Sequence, residues 1–246
     1  MKYFTPEELK ITHREEISSQ LSTLAGKNVK HNFAIWIFKK YAEKLGWNKN
    51  IKILDLGTAN GDFLIQLNQT GYQNLYAHDI DAYLSEERKI LTKEYKFSEL
   101  SMERLPWPDN YFDAITAWCV IPHLENPFFC AREARRVLKP GGVFIFTTLH
   151  LTSKPSLQYF LKNKDFKSYR ETNNHISLLP NSVVKKTILK DFELAGVEYF
   201  VNPKVFNNWQ GKIRKIIWNL CHLHPDIENW LKNRWAYNIC YIAKKI

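Results

Sequence analysis

The sequence lacks the features of a membrane, secreted or redox protein. No uninterrupted apolar stretch approaches the roughly 20 residues that a membrane-spanning helix needs. The opening residues, MKYFTPEELKITHREE, contain no apolar core of a signal peptide, so we expect no secretory leader. The 4 cysteines form no CxxC pair, which argues against a zinc ribbon or a redox dithiol and fits a reducing compartment. We therefore expect a cytoplasmic protein.

Basic residues outnumber acidic ones. The chain has 35 Lys and Arg against 25 Asp and Glu, a formal charge of +10. Such a surface favours anionic partners: nucleic acid, phosphorylated or carboxylated substrates, or an anionic membrane face. A lysine-rich surface without any such partner explains the same count, so charge alone does not decide between these alternatives.

The order of predicted elements indicates an α/β fold. Two helices are expected first, over 5–22 and 31–46, the second ended by Gly46. Strands and helices then alternate, which predicts a parallel sheet with right-handed crossovers. The expected strands are 51–57, 74–80, 94–99, 112–118 and 141–150, with helices over 59–69, 82–92 and 127–139. Pro140, Gly141 and Gly142 predict a turn into the fifth strand.

The second half of the chain is less regular. A capped helix is expected over 180–196, a strand over 197–201, a helix within 205–223 and a closing strand over 235–245. We therefore expect two parts. Residues 1–50 form N-terminal helices on the substrate side, and 51–246 form the core, with a helical insertion at about 204–234 before the last strand.

The stretch ILDLGTANGDFL, residues 53–64, decides between two cofactor loops. A dinucleotide fingerprint requires G-x-G-x-x-G after the strand, but positions 59 and 62 are Ala and Asp. In the pattern D-x-G-x-G-x-G, Asp55, Gly57 and Gly61 match, and Ala59 replaces the middle glycine. The second pattern therefore explains the loop better.

With this loop, the sequence resembles the class I S-adenosylmethionine (SAM)-dependent methyltransferases of the small-molecule type, the methyltransferase domain 11 group. Three further stretches resemble the family in order: YAHDID, SMERLPWPDNYFDAIT and HLENPFFCAREARRVLKPGGVFIFTT. The resemblance covers roughly 50–150 well. It implies a Rossmann-like, seven-stranded, mostly parallel sheet with helices on both faces, a C-terminal helical cap insertion, and SAM as the cofactor.

The resemblance also implies which residues bind the cofactor. Asp79 matches the acid that binds the ribose hydroxyls. Asp55 either bonds to loop N–H groups or attracts the cationic amino group of the ligand, unless it only stabilises the turn. Ser101 stands where the family often has an acid near adenine. The expected contacts are Asp55, Gly57, Thr58, Ala59, Gly61, Asp79, Ile80, Ser101, Met102, Trp118 and Cys119.

Catalytic residues are harder to predict, because methyl transfer mainly needs alignment and desolvation, and a general base only for poorly acidic nucleophiles. His123, after the fourth strand, and His150, after the fifth, are the candidate bases, with His175 as a rival. Loop packing is the alternative role of His123. Cys119 is either a nucleophile or a buried spacer. No metal site is expected, since CHLH at 221–224 lacks a second cluster of ligands.

These observations lead to three functional hypotheses. The first is methyl transfer from SAM to an O, N or C nucleophile of a small or medium-sized metabolite, of natural-product, quinone or glycan type. The second is RNA or protein methylation; DNA is not expected. The third is a catalytically inactive SAM-binding partner subunit. The aromatic, basic region 206–235 is a helical lid, a substrate cap or a membrane contact, and favours an anionic or lipid-linked acceptor. We expect a monomer or homodimer.

Overall fold

The computed structural model describes residues 29–99, 103–170, 173–202 and 225–246, together with Glu8 and Ile11. Three predictions therefore lie outside the described residues, wholly or in large part: the helix over 5–22, the cofactor contacts of Ser101 and Met102, and the helix within 205–223.

Strands and helices alternate along the chain as predicted. The helices of the described residues are α1 (Val29–Lys44), α2 (Asp62–Gln69), α3 (Glu86–Lys89), α4 (Pro127–Val137), α5 (Lys154–Asn163), α6 (Asn181–Lys186) and α7 (Pro225–Trp235), with 3-10 helices at Ile121–His123 and Lys167–Tyr169. The strands are β1 (Ile53–Leu56), β2 (Leu75–Asp79), β3 (Glu94–Phe97), β4 (Phe112–Ala117), β5 (Leu138–Leu149), β6 (Phe192–Phe200) and β7 (Asn238–Lys245).

The strands form one 7-stranded sheet in the order β3-β2-β1-β4-β5-β7-β6. Strands β1 to β5 pair in parallel, and β7 runs antiparallel between β5 and β6. The chain order reverses at β1, which has β2 on one side and β4 on the other. This topology confirms the predicted Rossmann-like methyltransferase fold. It also places a switch point, where open α/β sheets bind ligands, at the carboxyl ends of β1, β2 and β4.

The sheet is buried on both faces, as parallel sheets require. One hydrophobic cluster includes side chains of α4 and α6, and the other includes side chains of α1 and α2. Helix α1 contributes Ala34, Ile37, Phe38 and Tyr41, a spacing of three to four residues that forms one apolar stripe. As predicted, this helix ends before Gly46, whose φ of 65° suits a glycine.

The prediction of a helix over 180–196 is wrong over most of its length. Helix α6 ends at Lys186, and β6 begins at Phe192. The reason lies in the partner strand. Strand β7 pairs with β5 along one edge, which leaves the hydrogen-bonding groups of its other edge to be paired. Strand β6 pairs with that edge, from Phe192↔Lys245 to Phe200↔Asn238. This pairing outweighs the helical spacing of the apolar residues.

Two smaller predictions also differ, and one helix was not predicted. Residues 82–92 form a helix only at Glu86–Lys89. Residues 140–142 form part of β5 rather than a turn before it. The strand accommodates them as a bulge: its register against β4 shifts between Phe112 and Ala114, and Gly141 has a φ of 76°. Helix α5 follows β5 and has no counterpart among the predicted elements.

Candidate functional site

The loop after β1 turns sharply through residues with positive φ. The φ angles are 64° at Gly57, 50° at Ala59 and 80° at Gly61. The N–H of Thr58 donates to the carbonyl of His78 at 3.1 Å, which fixes the loop across the end of β2. The loop of this chain therefore retains the backbone of an all-glycine pattern, although an alanine in that region costs roughly 1–2 kcal/mol.

Glycine is required at two loop positions for a second reason. A Cβ at Gly57 would overlap the Val120 side chain, and one at Gly61 would lie 2.5 Å from Cδ2 of Leu84. Both distances are far below van der Waals contact. The loop is thus packed closely on the segments that follow β4 and β2, and a larger residue would displace it.

Asp79, the last residue of β2, is 8% exposed and bridges the two loops. Its Oδ2 accepts from the N–H of Ala59 at 2.7 Å and its Oδ1 from the N–H of Ile80 at 2.8 Å. Burial raises the pKa of this carboxyl to about 6. Each oxygen has a further lone pair, so the carboxylate can accept additional hydrogen bonds from a ligand with two hydroxyl groups.

Asp55 is 2% exposed and accepts a 2.6 Å hydrogen bond from the hydroxyl of Thr116 on β4. The Thr58 hydroxyl donates to the backbone carbonyl of Asp55 at 2.8 Å. The side chain is therefore oriented by a hydroxyl on the neighbouring strand rather than by the loop N–H groups that were one of its expected partners. Burial, together with the charge of Asp79, raises its pKa to about 7.

Arg88 on α3 connects the loop to the next crossover. Its guanidinium donates to the carbonyl of Asn60 and to Oδ1 of Asp62, the latter at 2.9 Å. The side chains of Asn60 and Asp62 are also hydrogen-bonded to each other, at 3.0 Å. Neither Arg88 nor Thr116 was predicted, since the sequence contains no local signal for contacts across 26 and 61 residues.

Trp118 and Cys119 follow β4 at the same edge. The indole N–H of Trp118 is buried and has no acceptor among the described residues, while its ring packs edge-on against Phe63 at 5.3 Å. Cys119 has a φ of 60°, and its N–H donates to the hydroxyl of Thr147 at 2.8 Å. An unpaired buried donor costs about 1–3 kcal/mol. This edge therefore fits a ligand that brings a hydrogen-bond acceptor.

His123 and His175 lie together. Their ring centroids are 4.5 Å apart, although the two residues lie far apart in the sequence. Nδ1 of His123 lies 3.2 Å from the carbonyl of Asn174, and Nδ1 of His175 lies 2.6 Å from that of Ser168. A carbonyl can only accept, so each Nδ1 is the donor in its hydrogen bond.

His150 lies elsewhere, after β5. It is 5% exposed, and its Nε2 is 2.7 Å from Oδ1 of Asn233 on α7. Its ring stacks on that of Tyr199 with a centroid separation of 5.9 Å. Burial lowers the pKa of this imidazole, so the neutral form predominates at pH 7.

The described candidate residues thus form one cluster at the strand ends and two further groups around histidines. The ends of β1, β2 and β4 bring together Asp55, Gly57, Thr58, Ala59, Gly61, Asp79, Ile80, Trp118 and Cys119. His123 with His175 and His150 with Asn233 form the two further groups. Over the described ranges, no set of three or more His, Cys, Asp and Glu side chains is arranged to bind a metal ion, and no helix combines the length and apolarity needed to cross a membrane.

Comparison with known proteins agrees with this geometry. Residues 54–146, which contain the whole cluster, match the family described as "Methyltransferase domain". These residues are therefore similar to a methyltransferase domain. The sequence of the chain is 32% identical over 130 residues to the ubiquinone/menaquinone biosynthesis C-methyltransferase UbiE of Rickettsia bellii. That match covers 48% of this chain and 52% of the relative, so the chain spans about half the length of this curated relative.

Solved structures share the fold of the methyltransferase domain at low sequence identity. A SAM-dependent methyltransferase from Thermotoga maritima superposes with a TM-score of 0.58 at 14% identity, covering 96% of this chain and 99% of that one. The [4+2]-cyclase SpnF superposes with a TM-score of 0.55 at 17% identity, covering 85% and 80%. Since one of these neighbours is named a cyclase, the fold alone does not determine the reaction, which depends on the residues of the site.

Proposed function

We propose that this protein transfers a methyl group from SAM to an O, N or C nucleophile of a small or medium-sized metabolite. The observation that carries the proposal is the position of Asp79. A buried carboxylate at the end of β2 is hydrogen-bonded across to the residue that replaces the middle glycine of the loop. The name of the quinone-pathway relative supports a carbon nucleophile on a quinone-type acceptor.

The binding roles follow from the chemistry of the cluster. Asp79 would accept from the ribose hydroxyls, and the indole N–H of Trp118 would find its acceptor on the ligand. Asp55, as a carboxylate, would favour a positively charged ligand. Ile80 and Cys119 would line the ligand, as Ser101 and Met102 would on the adenine side.

The bound cofactor would supply a methyl group activated by its positive sulfonium. The chain would align the acceptor with that group and exclude water. His123, whose Nδ1 lies 3.2 Å from the carbonyl of Asn174, is the first candidate base for the proton of a hydroxyl, amine or ring carbon. His150 is the second candidate base. Its Nε2 lies 2.7 Å from Oδ1 of Asn233.

A label-transfer assay tests the proposal. The purified protein is incubated with methyl-labelled SAM and a metabolite extract, and labelled products are separated. We expect label in one or a few small products, lost in Asp79→Ala. Asp113→Ala is the matched control, because this carboxylate is also bonded to a backbone N–H, at 2.8 Å, but lies at the opposite end of the sheet. Label in no small molecule would contradict the proposal.

The charge of +10 supports RNA as a second acceptor class. Label in RNA, with binding that weakens steeply as salt is added, would favour it. A stable complex with a second chain, without SAM binding by this chain alone, would instead favour the partner-subunit hypothesis. Sedimentation of the same sample distinguishes a monomer from a homodimer.

A further inference from the structure

A cavity of about 350 Å³ lies at the carboxyl end of β5, separate from the cofactor loop. Its wall is formed by the end of β5, by α5, by the 3-10 helix Lys167–Tyr169 and by Tyr237, which precedes β7. Since β5 neighbours β4 in the sheet, the cavity opens at the same edge as the candidate cofactor site. Its volume lies in the range of about 300–1,000 Å³ typical of small-molecule sites.

The wall combines aromatic surface with positive charge. Tyr159, Phe166 and Tyr237 supply rings, and Lys162 and Lys167 supply two cations, whereas no Asp or Glu of the described residues lines the cavity. Neither lysine ammonium forms an ion pair or a hydrogen bond with a described residue. Two uncompensated cations beside apolar rings form a surface that an anionic, flat molecule complements in both charge and shape.

The two ends of the cavity differ in exposure. His150, on the wall, is 5% exposed, whereas Lys162 and Lys167 are both exposed. The imidazole therefore lies at the inner end and the cations lie at the mouth. A bound molecule would orient its charged group outward and its uncharged end toward the edge of the sheet, where β4 and β5 end.

We propose that this cavity binds the methyl acceptor, and that the acceptor is a flat aromatic molecule with an anionic group that pairs with Lys162 and Lys167. The assignment of the ligand as acceptor rests on the proposed methyltransferase function. The site itself rests on the cavity, its rings and its two unpaired cations.

Two fluorescent dyes that differ by one charge test this site. 1-Anilinonaphthalene-8-sulfonate carries a sulfonate, and N-phenyl-1-naphthylamine has the same rings without it. Both are titrated into the wild type, Lys162→Gln/Lys167→Gln and a control, Lys185→Gln/Lys186→Gln. The control removes the same two charges from α6, which does not line the cavity.

We expect the anionic dye to bind about 2- to 30-fold more weakly to the cavity double variant, since two exposed ion pairs, each of about 0.2–1 kcal/mol, are lost. The neutral dye should bind this variant as it binds the wild type, and the control should bind both dyes unchanged. Ser156→Trp, which fills the cavity, should weaken both dyes. Equal losses of the anionic dye in the two double variants, or none in either, would overturn the proposal.

A separate SAM titration distinguishes failure of this site from failure of the proposed function. The lysine variants are expected to bind SAM as the wild type does. A wild type that binds no SAM contradicts the methyltransferase proposal, and with it the identity of the ligand as acceptor. If the wild type binds SAM but the lysine double variant binds the anionic dye as tightly as the wild type does, only the cavity proposal is contradicted.

Discussion

The left-handed backbone at Ala59 leads us to expect that Ala59→Gly stabilises the protein. Ala59 has a φ of 50°, a conformation that costs a non-glycine residue roughly 1–2 kcal/mol. Glycine removes that cost, but it also lowers the free energy of unfolding by about 0.4–1 kcal/mol, because it gives the unfolded chain more conformational freedom. The net expectation is a stabilisation of about 0.5–1 kcal/mol, or about 2–3 °C in Tm for a chain of this size. The hydrogen bond from the N–H of this residue to Asp79 does not depend on the side chain.

The assay is urea unfolding followed by circular dichroism, with Ala82→Gly as the control. Ala82 is also in a loop and is exposed, but it is not among the residues with positive φ, so the same substitution should destabilise the protein by about 0.4–1 kcal/mol. The reasoning is refuted when the two substitutions destabilise equally, because the left-handed conformation would then carry no cost.

Four further predictions concern the acids and the packing. Burial raises the pKa of Asp79 to about 6 and of Asp55 to about 7. Ionisation of Asp79 alone should raise the calorimetric SAM affinity about tenfold between pH 5 and pH 8, and ionisation of Asp55 should raise it further. The free energy of unfolding should fall over that window, since the native state retains protons that the unfolded state releases. Thr116→Val, which removes the 2.6 Å bond to Asp55, should cost about 1–3 kcal/mol by urea unfolding at pH 8 and less at pH 5. Gly196→Ala should cost about 1–3 kcal/mol, because a Cβ would overlap the Tyr41 hydroxyl, and Tyr41→Phe should recover part of that loss.

The parts predicted from sequence were those determined by local pattern. Asp79 and the loop with Gly57 and Gly61 could be placed because strand, turn and helix follow one another within a few residues. The alternation of strands and helices indicated the sheet in the same way. Burial of the sheet on both faces then followed from its parallel pairing.

The parts that were missed depend on contacts between distant residues. Arg88 contacts Asp62 and Thr116 contacts Asp55 because strands and crossovers meet in the folded sheet. The first residues of β6, up to Gly196, were predicted as the end of a helix, whereas a strand was expected only from residue 197. The open edge of β7 decided their conformation instead. Local propensity gives way to tertiary pairing at such positions.

Calorimetric titration of SAM into the wild type and Asp79→Ala tests the central claim most directly. We predict micromolar binding by the wild type and a loss of about 100-fold in the variant, because two hydrogen bonds to a charged acceptor disappear. Asp113→Ala should bind as the wild type does. Absence of binding by the wild type, or equal binding by Asp79→Ala, would contradict the assignment of this loop and this carboxylate as the cofactor site.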